Sequence, residues 1–137
     1  MPPGKVPLSL QRRVRERARN RCEYCGMSQA GQEATFHIDH VLPRRVEGAT
    51  SLANLALACV SCSLRKGARR SALDPDTGRS EELFNPRMNE WGQHFRLAAD
   101  FTIVGVTAVG RATVEALAMN RPLAIEIRRE EARLSAR

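Results

Sequence analysis

From position 36 the chain reads Phe-His-Ile-Asp-His-Val-Leu-Pro, which sets two of its three histidines around an aspartate. A carboxylate oxygen suits a hard divalent cation, and a neutral imidazole can take a proton from water near neutral pH. Side by side, Asp39 and His40 can hold an ion against one side of a phosphate ester and activate a water on the other. An isolated Asp-His pair is more often a hydrogen-bonded strand end. Here two cysteine pairs flank it, Cys22-x-x-Cys25 and Cys59-x-x-Cys62. One such pair alone could be a redox motif; two at this spacing read as four thiolate ligands of a structural zinc.

These residues need elements to aim them. Residues 34–42 read as a strand with His37, Asp39 and Val41 on one face and Phe36, Ile38 and His40 on the other. Pro43 ends it, and a bulge near His40 would re-aim that ring. Gly26 after the first cysteine pair permits the positive φ that a tight knuckle requires. Ser51 is placed to cap a short helix over residues 52–58 that carries Asn54 and delivers Cys59. Upstream, Ser9 is placed to cap a helix over residues 10–20 with Leu10, Val14 and Ala18 as its apolar stripe. Its other faces carry Arg12, Arg13, Arg15, Arg17 and Arg19, a pattern that fits a solvated surface or phosphate contact, the latter slightly favoured. Farther on, 74–78 is a turn, 82–84 a short strand, and 88–96 reads as neither helix nor strand with certainty. Residues 101–107 are β-rich, Thr107 caps a helix to about Met119, and Pro122 opens a last helix packed through Leu123, Ile127 and Leu134.

The 137 residues suffice for one domain. Aromatics are only 4%, so the core rests on aliphatic side chains and a structural metal would help hold it. Lys and Arg exceed Asp and Glu by 22 to 15, a net charge of +7, which favours a polyanionic partner: nucleic acid first, an anionic membrane surface second. No transmembrane-length apolar run and no signal-peptide core is present, so a cytoplasmic protein with reduced, metal-binding cysteines is expected.

Taken in order, Cys22-x-x-Cys25, His37-Ile-Asp39-His40-Val-Leu-Pro43, Asn54-Leu55 and Cys59-x-x-Cys62-x-x-x-Lys66 resemble an HNH endonuclease of the zinc-ribbon subgroup, over roughly residues 20–68. The resemblance implies an α+β fold. In it a ββα-metal finger with a structural zinc ribbon is flanked by an N-terminal helix and a C-terminal strand and helix extension at about 80–137, all one domain spanning 1–137. It implies a metal-dependent DNA endonuclease with Asp39 as ligand of a divalent ion (Mg²⁺ or Mn²⁺), His40 as general base and Asn54 orienting the His40 ring. Cys22, Cys25, Cys59 and Cys62 would hold the separate zinc. Ser63 stands where the family has His or Asn as second ligand of the catalytic ion, with His94 and His37 as the other candidates. Arg44, Arg45, Arg65, Lys66, Arg69 and Arg70 would grip DNA phosphates. The alternative is a zinc-ribbon nucleic-acid-binding module impaired in cleavage, for which Ser63 is the hint.

Overall fold

The computed structural model describes residues 6–43 and 49–135. Its centre is an antiparallel hairpin. Strand β1 (His37–His40) pairs with β2 (Leu55–Ala58), His37 facing Ala58 and His40 facing Leu55. Helix α2 (Val60–Lys66) follows directly, capped by Cys59, whose sulfur accepts from the Cys62 amide. The helix expected over residues 52–58 is therefore a correction: only Leu52–Asn54 makes a 3-10 turn, and the rest is β2. Leu and Ala favour helix by only a few tenths of a kcal/mol per residue. Burial decides instead, since Leu55, Ala56, Leu57 and Ala58 are all fully enclosed and their backbone polar groups need a ladder partner.

Helix α1 (Leu8–Arg17) lies against this hairpin. Pro7, with φ at −56°, occupies the N-cap position, and Ser9 falls inside the helix rather than capping it. The helix stops short of Asn20 because Arg19 and Asn20 turn into the left-handed region, at φ 55° and 56°. Val14 is completely buried, with Leu10 and Ala18 partly buried beside it, as the four-residue spacing predicts. Full burial of a valine is worth about 1.5–3 kcal/mol. Two arginines fasten the helix further: Arg15 donates to the Phe36 carbonyl at 3.2 Å, and Arg17 to those of Leu52 and Leu55 at 2.8 and 2.5 Å.

The remaining chain buttresses the hairpin. Strands β3 (Ser71–Leu73) and β4 (Ser80–Glu82) form a second hairpin, closed at its turn by Asp74. A short helix α3 (Trp91–His94) leads into a third hairpin of β5 (Phe95–Leu97) and β6 (Ile103–Gly105). Helix α4 (Ala108–Ala116) is capped by the Thr107 side chain, which accepts from the Gly110 amide at 2.9 Å, and α5 (Pro122–Ser135) closes the chain. Helix α4 meets β6 backbone to backbone: a Cβ on Gly105 would lie 2.4 Å from the Arg111 nitrogen, and one on Gly110 2.1 Å from the His94 carbonyl oxygen. In α5 the expected face is met at Ile127 alone. Leu123 and Leu134 are exposed, whereas Ala124 and Ile127 pack inward. The outer face carries the Glu126–Arg129 and Glu130–Arg133 ion pairs.

Candidate active site and metal centre

The four cysteine sulfurs all lie within 4.8 Å of one another, and all four residues are buried. The first knuckle is shaped by its backbone: Cys22 donates to the Met27 carbonyl at 2.8 Å, and Gly26, at φ 82°, donates to Cys22 at 2.9 Å. Glu23 docks that knuckle onto the outer edge of β2, its amide donating to the Leu57 carbonyl and its carboxylate accepting from the Leu57 amide, each at 2.8 Å. The pairs are thereby brought together across 34 residues, with the Cys25 and Cys59 sulfurs 3.7 Å apart. Tetrahedral zinc at about 2.3 Å from each thiolate requires sulfurs about 3.8 Å apart. The donor set thus suggests a structural zinc. Burial pushes the Cys22 thiol well above its ordinary value, whereas hydrogen bonds with neighbouring thiols hold Cys25 and Cys59 below theirs.

Along β1 is a polar cavity of about 500 Å³, lined also by Arg15, Ser63 and Gly67. His37, Asp39 and His40 all reach it. Asp39 is held from behind: the Tyr24 hydroxyl donates to Oδ2 at 2.6 Å, and the Lys66 ammonium lies 3.3 Å from Oδ1 and 3.2 Å from Oδ2. Burial raises the Asp39 carboxyl above the ordinary range, opposed by the charge of Lys66 and by the hydrogen bonds from Tyr24 and Lys66. Burial likewise drives the Tyr24 hydroxyl well up, helped by the adjacent Asp39 charge, so Tyr24 is a proton donor here and never a phenolate at neutral pH. Sequence reasoning missed Tyr24. Its signal was its place between Cys22 and Cys25, which obliges it to follow the knuckle inward.

His40 Nε2 lies 2.8 Å from the Thr50 hydroxyl. Asn54, expected to orient that ring, bonds the backbone around it. Its side chain accepts from the Leu42 amide at 2.8 Å and donates to the Leu42 and Ala49 carbonyls at 3.0 and 2.9 Å, closing the loop after β1. Both amide hydrogens of Asn54 are thus committed to backbone. No sequence pattern marked Thr50, because the loop's fold decides which hydroxyl meets the ring.

Ser63 turns its hydroxyl to His37, 2.7 Å from Nδ1. His94 is elsewhere: its Nδ1 lies 2.7 Å from the Thr107 hydroxyl and its ring packs edge-on against Phe84 and Phe95, outside the cavity wall. Lys66 is a further correction. Expected at DNA phosphates, it is 2% exposed and spends its ammonium on Asp39 and on the His40 carbonyl, at 3.1 Å for the latter. Arg65 and Arg70 are exposed, as is Arg69, which donates to the Arg65 and Ala116 carbonyls. Arg44 and Arg45 lie outside the described residues. Among the described residues no helix is long and apolar enough to cross a membrane.

Comparison with known families matches residues 22–69 to the HNH endonuclease model. No curated protein and no solved structure matches the chain. The matched span begins at the first knuckle cysteine and takes in β1, β2 and α2, so it holds the sulfur cluster together with Asp39, His40 and Ser63. The cluster fits the zinc-ribbon subgroup. Over residues 22–69 this chain is similar to the HNH endonuclease family.

Proposed function

We propose that the protein is a metal-dependent DNA endonuclease, acting in the cavity beside β1. The observation that supports this reading best is the grouping of Asp39 and His40 on one cavity wall within the matched segment, with Arg15 on the same wall. Asp39, which borders the cavity, would hold a divalent ion there. That ion, when bound, supplies positive charge to the scissile phosphate and to the departing oxygen. His40, its ring fixed by Thr50, takes the proton from the in-line water. Arg15 at the wall and the exposed Arg65, Arg69 and Arg70 grip flanking phosphates, which positions the strand without reading bases. Cys22, Cys25, Cys59 and Cys62 bind one structural zinc that takes no part in the chemistry.

Cleavage of supercoiled plasmid with added Mn²⁺ or Mg²⁺ tests the reading. Parent protein should nick or linearise the plasmid, and His40→Ala should be slower by about 10²–10⁴-fold, the ordinary contribution of a positioned base. Zinc content and DNA retention should stay unchanged in that variant. Retention of DNA without cleavage in Mg²⁺, Mn²⁺, Co²⁺ or Ni²⁺ would make the protein a zinc-ribbon binding module instead.

A further inference from the structure

The position at which the family supplies a second ligand to the catalytic ion is Ser63, and its hydroxyl is already engaged with His37 Nδ1 at 2.7 Å. A neutral hydroxyl is a poor ligand beside a carboxylate or an imidazole. On β1, His37 and Asp39 are two residues apart, so the strand period puts them on one face, their Cα atoms about 6.6 Å apart. Opposite them on β2 stand Ala58 and Ala56, whereas Ile38 and His40 face Leu57 and Leu55. The histidine and the aspartate thus project from the face where the partner strand offers only methyl groups. Both border the cavity. Lys66 does not; it borders a different recess with Val41, Arg69 and Arg70, so its charge approaches Asp39 from behind.

We infer that His37, through Nε2, and Asp39 are the two protein ligands of the catalytic ion, with Ser63 as the hydroxyl that orients the His37 ring. The inference rests on the endonuclease reading and names the donors at that same site. With Nδ1–H donated to Ser63, the neutral ring presents its lone pair at Nε2, the usual way an outer hydrogen bond fixes a metal-binding tautomer. The serine is then not a defect in the site. It is a positioning residue, and the imidazole has moved from α2 to β1. One carboxylate and one imidazole, completed by water and phosphate oxygen, suit Mn²⁺, Co²⁺ or Ni²⁺ better than Mg²⁺.

The test is Mn²⁺ binding to the zinc-loaded protein followed by electron paramagnetic resonance, with spin-echo modulation to detect a directly bound nitrogen. Mn²⁺ is chosen because a hard ion does not compete for four thiolates. Parent protein should bind one Mn²⁺ with a clear ¹⁴N modulation, and Asp39→Asn should lose the ion. His37→Ala should weaken binding more than tenfold and abolish the modulation. Ser63→Ala should weaken binding by about 10–100-fold, as loss of an orienting partner does, and keep the modulation. His40→Ala should change neither. Mn²⁺ bound to the parent with no ¹⁴N modulation, or a modulation that survives in His37→Ala, would overturn the inference while leaving the endonuclease reading intact. No Mn²⁺ site sensitive to Asp39→Asn would remove that reading, and this inference with it. An absent modulation in the parent overturns the inference whether or not a variant folds, and His37→Gln takes the place of His37→Ala should the smaller side chain fail to fold.

Discussion

Replacing Lys66 with methionine keeps the length of the side chain and removes its charge. The ammonium is 2% exposed, the Asp39 carboxylate 8%, and the two are within 3.3 Å. Water therefore has little access to the side from which Lys66 approaches. Asp39 would keep only the Tyr24 hydroxyl, and the His40 carbonyl would lose its donor as well. Breaking a buried pair on one side costs about 3–5 kcal/mol, out of a total stability of about 5–15 kcal/mol for an ordinary domain. Adding Asp39→Asn should return more than half of that loss, because the uncompensated charge is then gone too. The two changes should be strongly non-additive, with a coupling of about 2 kcal/mol or more. Urea unfolding of zinc-loaded protein measures this, read by the fluorescence of Trp91, the only tryptophan, whose indole donates to the Tyr24 carbonyl at 2.8 Å. A loss below about 1 kcal/mol for Lys66→Met, or single losses that simply add in the double variant, would show that the pair is not the enclosed unit described here.

Two further outcomes follow. One zinc per chain should be found by metal analysis, and Cys59→Ser or chelation should unfold the hairpin rather than merely inactivate it, since closing the ribbon and folding are one event; a Cys59→Ser variant that melts like the parent would refute this. Arg111 donates to both Asp74 oxygens, at 3.0 and 2.8 Å, and holds that carboxyl down to about 2. Its folded value lies below the unfolded one of about 3.9, so the stabilisation is complete above that pH and fades as pH falls toward 2. Arg111→Ala should therefore unfold at a higher pH than the parent during acid titration, and the gap should close near pH 2.

Much of the site was legible because its donors are rare residue types at constrained spacing. Four cysteines in two pairs, and an Asp-His at a strand end, leave few ways to fold in a chain with three histidines. Helix α4 was legible for a similar reason, as Thr107 is a local cap and acts within its own turn. What escaped was whatever tertiary contact decides. Residues 52–58 carry helix formers, yet pairing with β1 and complete burial make four of them a strand. Lys66 looked like one more charge in a basic run, and only the three-dimensional fold shows it turned inward to a carboxylate 27 positions away. The apolar face of α5 was misjudged because Leu123 and Leu134 stand exposed there, while the smaller Ala124 is what fits against the core.

Net charge misleads in the same way. The excess of +7 suggests a chain bristling with free cations, but Arg17 binds carbonyls of the hairpin, Arg87 pairs with Glu23, and Lys66 is interior. Those groups are spent on architecture, and the architecture concerns one carboxylate in particular. Glu23 docks the first knuckle on β2, Tyr24 reaches through from that knuckle to Asp39, and Lys66 closes on Asp39 from the end of α2 four residues after Cys62. Both contacts that fix Asp39 thus originate in segments anchored by the cysteine cluster, one from each pair. A metal that draws Cys22 and Cys25 to Cys59 and Cys62 therefore sets the distance between Tyr24 and Lys66, and the carboxylate between them has its orientation set by the ribbon. On the proposed reading, that is a physical reason for a ribbon metal and an ion-holding carboxylate to share so small a fold: the first would supply no chemistry, but it would brace the two segments that aim the second.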